Sequence, residues 1–277
     1  MVMNPVFVSL WLALAPNTLP GSHQDLPRLA EHPWIAVTTP DDRVKPLELP
    51  FKLARQTTNY YHASPTQALN IELVAKRLNG TVVPGGTSFN YFHTVGPYTE
   101  ANGYGWGRAF VGERIVPSVG GGVCQGSSTL YAAVLRTGLP VLERHQHGST
   151  VPYLPPGEDA TVAGSYLNFR FLNDRKTPVL IQASAGHRHL KVTLWGASPA
   201  PEIKVHHQIL ARYPFRTVHE FDPSLPPGQT KVLSPGQEGV MVKSWLVTKT
   251  SHGLVTKPLG VDRYRASPRI IVRGPNA

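Results

Sequence analysis

The chain holds one cysteine in 277 residues, and it stands in GGGVCQGSSTLYAAVLRTG, residues 120–138. With no second cysteine for an internal disulfide, Cys124 is a nucleophile, a metal ligand or a small buried hydrophobe. The residues after it read as a helix over 127–137. Leu130, Tyr131, Val134 and Leu135 supply an apolar face, Arg136 falls in the last turn, and Gly138 is a natural stop. Cys124 then lies at or just before the helix N-terminus. Unpaired N–H groups and the positive end of the helix dipole there favour thiolate over thiol. Gly120, Gly121 and Gly122 remove side chains in front of the sulfur, so a substrate backbone can come close and nearby N–H groups can hold an oxyanion.

A cysteine nucleophile needs a base, and VLERHQHGSTVPY offers two candidates. Read as a strand, it puts Glu143, His145 and His147 on one face, because side chains alternate with a period of two. Either histidine can pair with Cys124, and a carboxylate can orient the ring. Asp159, in PPGEDATV, is the most suggestive acid. Arg144 points to the other face, where it binds a substrate carboxylate in bidentate fashion or makes a surface salt bridge. His-x-His with Cys124 and Asp159 is also a metal-ligand set, but a single paired motif is a weak signal. The expectation is no metal and no cofactor.

These side chains need a frame. SPTQALNIELVAKRLNG reads as a helix, with Ser64 as cap, Pro65 at the first position and Gly80 as stop. Ala68, Ile71, Ala75 and Leu78 give it a buried face. TVVPGGTSFNYFHTVGP has a turn at Pro84-Gly85-Gly86 followed by an aromatic strand-like run. Residues 101–122 read as a long structured loop. LPVLERHQHG, LNFRFLN, TPVLIQAS and HLKVTLWG read as strands. After a break at ASPAPE, residues 197–202, the chain is strand and turn only. The expected fold is α+β, with helices packed on a mostly antiparallel sheet, followed by a small all-β module.

Together these motifs resemble the VanW domain family. GGGVCQGSSTLYAA, ERHQHGSTVPY, GEDATV and LNFRFLN occur in that order at familiar spacing. ALNIELVAKRLNGTVVPGGTSFNYFHTVGP and GYGWGRAF look like the family's N-terminal half. The tail, through its glycine spacing and PGQEGV, is similar to a G-five module. The resemblance implies a catalytic domain over 51–196 and a G-five-like module over 200–277. It also implies an L,D-transpeptidase that cross-links peptidoglycan stem peptides through a cysteine acyl-enzyme. Carried over by motif, Cys124, His147 and Asp159 form the catalytic trio. Gln125 and Tyr153 join the glycines and Arg144 as substrate-binding residues. The chain departs from the family pattern at Gly126 (usually aliphatic), Ser128 (threonine), Asn168 (aspartate) and Tyr98 (arginine). The rival readings are a cysteine carboxypeptidase on the same bond and a non-catalytic peptidoglycan-binding envelope protein.

Composition agrees with an envelope setting. The net charge of +10 draws the chain to anionic wall polymers. No helix-turn-helix, zinc-finger or aromatic RNA-binding pattern points to nucleic acid. Residues 1–20 carry an apolar run from Pro5 to Ala15. It is too short to span a bilayer but suits a signal peptide, with Ala13 and Ala15 as small residues for a cleavage site. It is either cleaved or kept as a membrane association. Residues 21–50 are a proline-rich linker. The expected location is the cell envelope or periplasm.

Overall fold

The computed structural model describes residues 48–111 and 114–276. The signal-like segment and nearly all of the proline-rich linker lie outside the described residues. Leu47–Ala277 forms one compact unit.

In chain order the elements are β1 (Phe51–Asn59), α1 (Pro65–Leu78), β2 (Thr81–Val83), β3 (Ser88–Asn90), α2 (Tyr91–Val95), β4 (Trp106–Val111), β5 (Arg114–Val119), α3 (Val123–Leu135), β6 (Val141–Glu143), β7 (Arg170–Leu172), β8 (Val179–Gly186) and β9 (His189–Gly196). The remainder is all strand: β10 (Glu202–Tyr213), β11 (Thr217–Phe221), β12 (Thr230–Gln237), β13 (Gly239–Thr250), β14 (Gly253–Tyr264) and β15 (Ser267–Arg273). The molecule is therefore mostly β, which meets the α+β expectation in part.

A four-stranded antiparallel sheet in the order β1-β9-β8-β2 forms the base of the first half. Both long helices pack on it and on each other. The helix expected after Ser64 forms as read: the Ser64 hydroxyl accepts from the Gln67 N–H at 3.2 Å, which spares one orphan donor of the first turn. Ile71, Val74 and Leu78 of α1 meet Leu130 and Val134 of α3 and Ile181, Leu190 and Leu194 of the sheet in one core, all fully buried.

Two local expectations change. Residues 101–122 are not merely loop, since β4 and β5 pair as an antiparallel hairpin. The aromatic run after Gly86 keeps only β3 as strand. Asn90 then caps α2 by accepting from the His93 N–H at 3.0 Å, which turns the chain into a short helix.

Beyond Glu202 the strands form two three-stranded sheets, β10-β13-β14 and β11-β15-β12. All pairings are antiparallel except β11 with β15. Leu246 of β13 belongs to the same core cluster as α1 and α3, and Ile203, Val205 and Leu259 pack against it. The apolar core is thus continuous from the helices into β13.

Candidate active site

The helix that carries Cys124 starts earlier than its apolar periodicity implies. α3 begins at Val123, so Cys124 sits inside the first turn. The cap is Gly122 at φ +109, a left-handed conformation that a side chain strains to adopt. Gly120 also has positive φ, +79. Gly121 is needed for a different reason: a Cβ there would lie 2.5 Å from the carbonyl carbon of Gly107 on β4. Asn70, buried on α1, pins this crossing. Its Nδ2 donates to the Gly105 and Gly121 carbonyls, both at 2.9 Å, and its Oδ1 accepts from the Gly105 N–H at 2.8 Å. All but one of its hydrogen-bonding positions are thereby used.

The second half of the site is held by the body of α3. Ser127 and Ser128 donate to the Ala160 carbonyl at 2.6 and 3.1 Å, and Ser128 accepts from the Ala160 N–H at 3.0 Å. Asp159 is thereby fixed beside the helix. One carboxylate oxygen, Oδ2, accepts from the backbone N–H of His147 at 2.8 Å and from its ring Nδ1 at 2.6 Å. With Nδ1–H committed to Asp159, the ring lines the same cleft as the Cys124 sulfur and interacts with it electrostatically. The Cys124 Sγ also accepts from the Val162 N–H at 3.5 Å and lies 3.7 Å from the Thr161 hydroxyl.

The electrostatics follow from these contacts. Burial alone would push the Cys124 thiol up. The His147 imidazole, by hydrogen bond and by charge, outweighs burial, helped by Val162 and Thr161, and holds the thiol below its ordinary value. Burial would lower His147, but its bonds to Asp159 and Cys124 push it up to about 9. Burial would raise Asp159; His147, Arg144 and Tyr264 hold it down at about 2. The shifts of Cys124 and His147 both run toward the thiolate–imidazolium form, with the Asp159 carboxylate behind the ring.

Cys124 is half-buried and opens on a cleft of about 720 Å³ lined by Tyr98, Arg108, Gly120–Gly122, His147 and Tyr153 among others. The Tyr98 hydroxyl is buried with no hydrogen-bond partner. Tyr153 hydrogen-bonds Ser128.

Cys124, His147, Asp159, the three glycines, Gln125 and Tyr153 are thus brought together. The Gln125 amide is spent on β1, donating to the Thr58 hydroxyl at 3.0 Å and the Asn59 carbonyl at 2.9 Å. His145 and Arg144 lie elsewhere. β6 stops at Glu143, so the two-residue alternation does not reach the histidines and they do not share a face. His145 turns back to Glu143 at 3.1 Å. Arg144 is neither in the cleft nor on the surface: it pairs with both oxygens of Asp262 at 2.7 Å and with Asp159 at 3.0 Å. Asn70 and Tyr264 have nothing in their local sequence that marks them, while Thr161 and Val162 close the GEDATV motif read for Asp159 alone. Among the described residues, no three His, Cys, Asp or Glu side chains are grouped to hold a metal ion.

The departures from the family pattern have physical partners. A Cβ at Gly126 would lie 2.3 Å from Val74 Cγ1 and 2.4 Å from the Tyr91 hydroxyl, so glycine lets α3 approach α1 here. Asn168 donates its amide to Asn90 Oδ1 at 2.8 Å, which an ionised aspartate could not do.

A glycine-capped helix bearing a free cysteine, with an Asp-oriented imidazole in the same cleft and an all-β tail, defines a cysteine-centred domain with a β appendage. Comparison with known proteins places it further. Residues 66–195 match the family model described as VanW like protein, and residues 206–276 match the G5 domain. The chain therefore carries a VanW-like domain followed by a G5 domain, types of domain typical of cell-wall or secreted proteins.

The uncharacterized protein YoaR of Bacillus subtilis is 36% identical over 146 residues, covering 53% of this chain and 48% of that protein. The vancomycin B-type resistance protein VanW of Enterococcus faecalis is 28% identical over 115 residues, covering 39% and 41%. The chain thus spans less than half the length of either relative. Among solved structures, the G5 domain of an IgA1 protease is 20% identical at a TM-score of 0.20, covering 30% of this chain and 100% of that one. The HP0197 G5 structure is 23% identical at 0.16, covering 26% and 99%. No helix of the described residues is long and apolar enough to cross a membrane.

Proposed function

We propose that the protein is an exported cysteine acyltransferase of the cell envelope, an L,D-transpeptidase acting on peptidoglycan stem peptides. The observation that carries this reading is that Cys124 opens on a cleft of about 720 Å³ that His147 also lines, with the His147 ring held from behind by Asp159 at 2.6 Å.

The Cys124 thiolate attacks the carbonyl carbon between the third residue of a stem and its terminal D-alanine. Most N–H groups of the glycine turn are already used: those of Gly120, Gly121, Val123 and Gln125 go to the carbonyls of Gly105, Ser118, Gly120 and Gly122. The oxyanion donors are then the N–H groups of Gly122 and Cys124, at the start of α3, helped by the helix dipole. The carbon–nitrogen bond breaks as His147 gives its proton to the departing D-alanine amine, leaving a thioester. An acceptor amine from a second stem then attacks this thioester and loses a proton to His147. The thiolate leaves, and one new amide bond replaces the one broken. Arg108, in the cleft wall, is the cation suited to a substrate carboxylate, the task first assigned to Arg144. The G5 domain and the net charge of +10 favour retention on anionic wall polymers.

The test is incubation of the full chain with tetrapeptide muropeptides. Dimers and a thioester adduct on Cys124 are expected, and both vanish in Cys124→Ala. Shortened monomers without dimers would instead make it a carboxypeptidase. An unmodified Cys124 with no product at all would leave a wall-binding protein.

A further inference from the structure

We propose that the C-terminal all-β module completes the reactive site: Tyr264, backed by Asp262, is a positioning residue that fixes Asp159 and, through it, the His147 ring that shares a cleft with Cys124. This rests on reading Cys124, His147 and Asp159 as one reactive unit.

Tyr264 ends β14 and is fully buried. Its hydroxyl donates to Asp159 Oδ1, accepts from the Gly157 N–H at 2.8 Å and lies 3.4 Å from Arg144 Nη2. A phenol has one proton and two lone pairs, so the proton and one lone pair go to the segment that carries Asp159 and the other lone pair faces Arg144. Asp262, two residues earlier and thus on the same face of the strand, takes Arg144 Nη1 on both oxygens at 2.7 Å. Arg144 relays this hold, donating Nε to the Asp159 carbonyl at 2.7 Å and Nη2 to Asp159 Oδ1 at 3.0 Å.

The division of labour at Asp159 is sharp. Oδ2 serves His147 alone, while Oδ1 is gripped by Tyr264 and Arg144. The two oxygens move as a rigid pair, so the grip on Oδ1 sets the angle at which Oδ2 meets the ring. Orienting partners one bond behind a reactive group act in this way at metal sites and in serine and cysteine triads. The other groups facing Asp159 do not replace Tyr264. From α3 come the Tyr131 ring, beneath Arg144 at 5.3 Å, and Cys124. Tyr153 and the neighbouring Glu158 come from the loop before Asp159. Glu158 is itself committed to Arg136 and His207.

The test reads the sulfur, not the substrate, so it stays decisive even if the transpeptidase reading fails. The rate of Cys124 alkylation by iodoacetamide is measured against pH on the full chain. Tyr264→Phe keeps the ring and removes only the hydroxyl. It should move the alkylation midpoint upward by about 0.5–1 pH unit, with Asp262→Asn moving it in the same direction. Ser267→Ala removes a different contact of the module, the 3.0 Å bond to Ser149, and should leave the midpoint in place. A Tyr264→Phe profile that overlays the parent, or an equal shift in Ser267→Ala, overturns the proposal. If Tyr264→Phe shows no cooperative melt, Asp262→Asn decides, and an unmoved midpoint there overturns it as well.

Discussion

At the scale of residues, Cys124 and His147 line one cleft, and Asp159 holds the His147 ring from behind. A lone cysteine before a helix, a histidine in a short polar run and an acid a dozen residues later are rare enough to be noticed. Choosing between His145 and His147 was not possible from alternation, because that rule assumes a strand and β6 ends at Glu143. Asn70, Val162 and Tyr264 act through hydrogen bonds that close over 35 or more residues, a distance that no local pattern encodes. The trio carries its own pH signature. His147, at about 9, owes its height to Asp159 and Cys124. In Asp159→Asn the ring loses its anionic partner, so its pKa should fall by at least about one unit. NMR titration of the His147 ring would read this directly. A ring still titrating near 9 would mean that Asp159 does not support the imidazolium. Under the proposed mechanism, activity should show the same edge, since the imidazolium assigned to protonate the leaving amine is lost as pH rises through about 9.

At the scale of elements, α1 and α3 were readable from caps and periodicity, whereas the β4–β5 hairpin was hidden by glycine. Glycine marks loops in sequence, but here Gly107 and Gly121 exist so that two backbones can cross. The same logic explains Gly126. Its space is taken by Val74 Cγ1 and the Tyr91 hydroxyl, and that hydroxyl donates to the Val123 carbonyl at 2.9 Å. Restoring an aliphatic residue here would wedge α3 away from α1. Gly126→Val should cost about 2–3 kcal/mol in urea unfolding, as overpacked cores do. It should also slow Cys124 alkylation, because the wedge sits two residues from the sulfur. A variant as stable as the parent would show that the helix pair can separate freely.

At the scale of the whole molecule, the break at residues 197–202 reads in sequence as the boundary of a separate small all-β module. Composition shows where a linker starts but not what the next strands pack against. Two buried carboxylates tie the parts together: Asp159 to Tyr264, and Glu158 to His207 of β10 at 3.0 Å, with Arg136 holding Glu158 by two bonds of 2.6 and 3.0 Å. Burial would raise both acids, but their partners hold both below the ordinary carboxylate value, Asp159 at about 2. A lowered carboxylate stabilises the fold fully above its unfolded pKa, near 4, and loses that contribution as pH falls through its folded value. His147 works at the other edge: raised to about 9, it stabilises fully below about 6.5 and ceases to as pH rises through 9. Stability should therefore be broadest between about pH 4 and 6.5 and fall steeply below pH 4. Glu158→Gln removes one of the two acid-sensitive ties and leaves Arg136 facing a neutral amide. It should cost on the order of 3 kcal/mol at pH 6, and the acid decline should become shallower because one fewer proton is taken up on unfolding. Urea midpoints across pH 2.5–9 would measure both effects. A variant that declines as steeply as the parent below pH 4 would place the acid sensitivity outside Glu158.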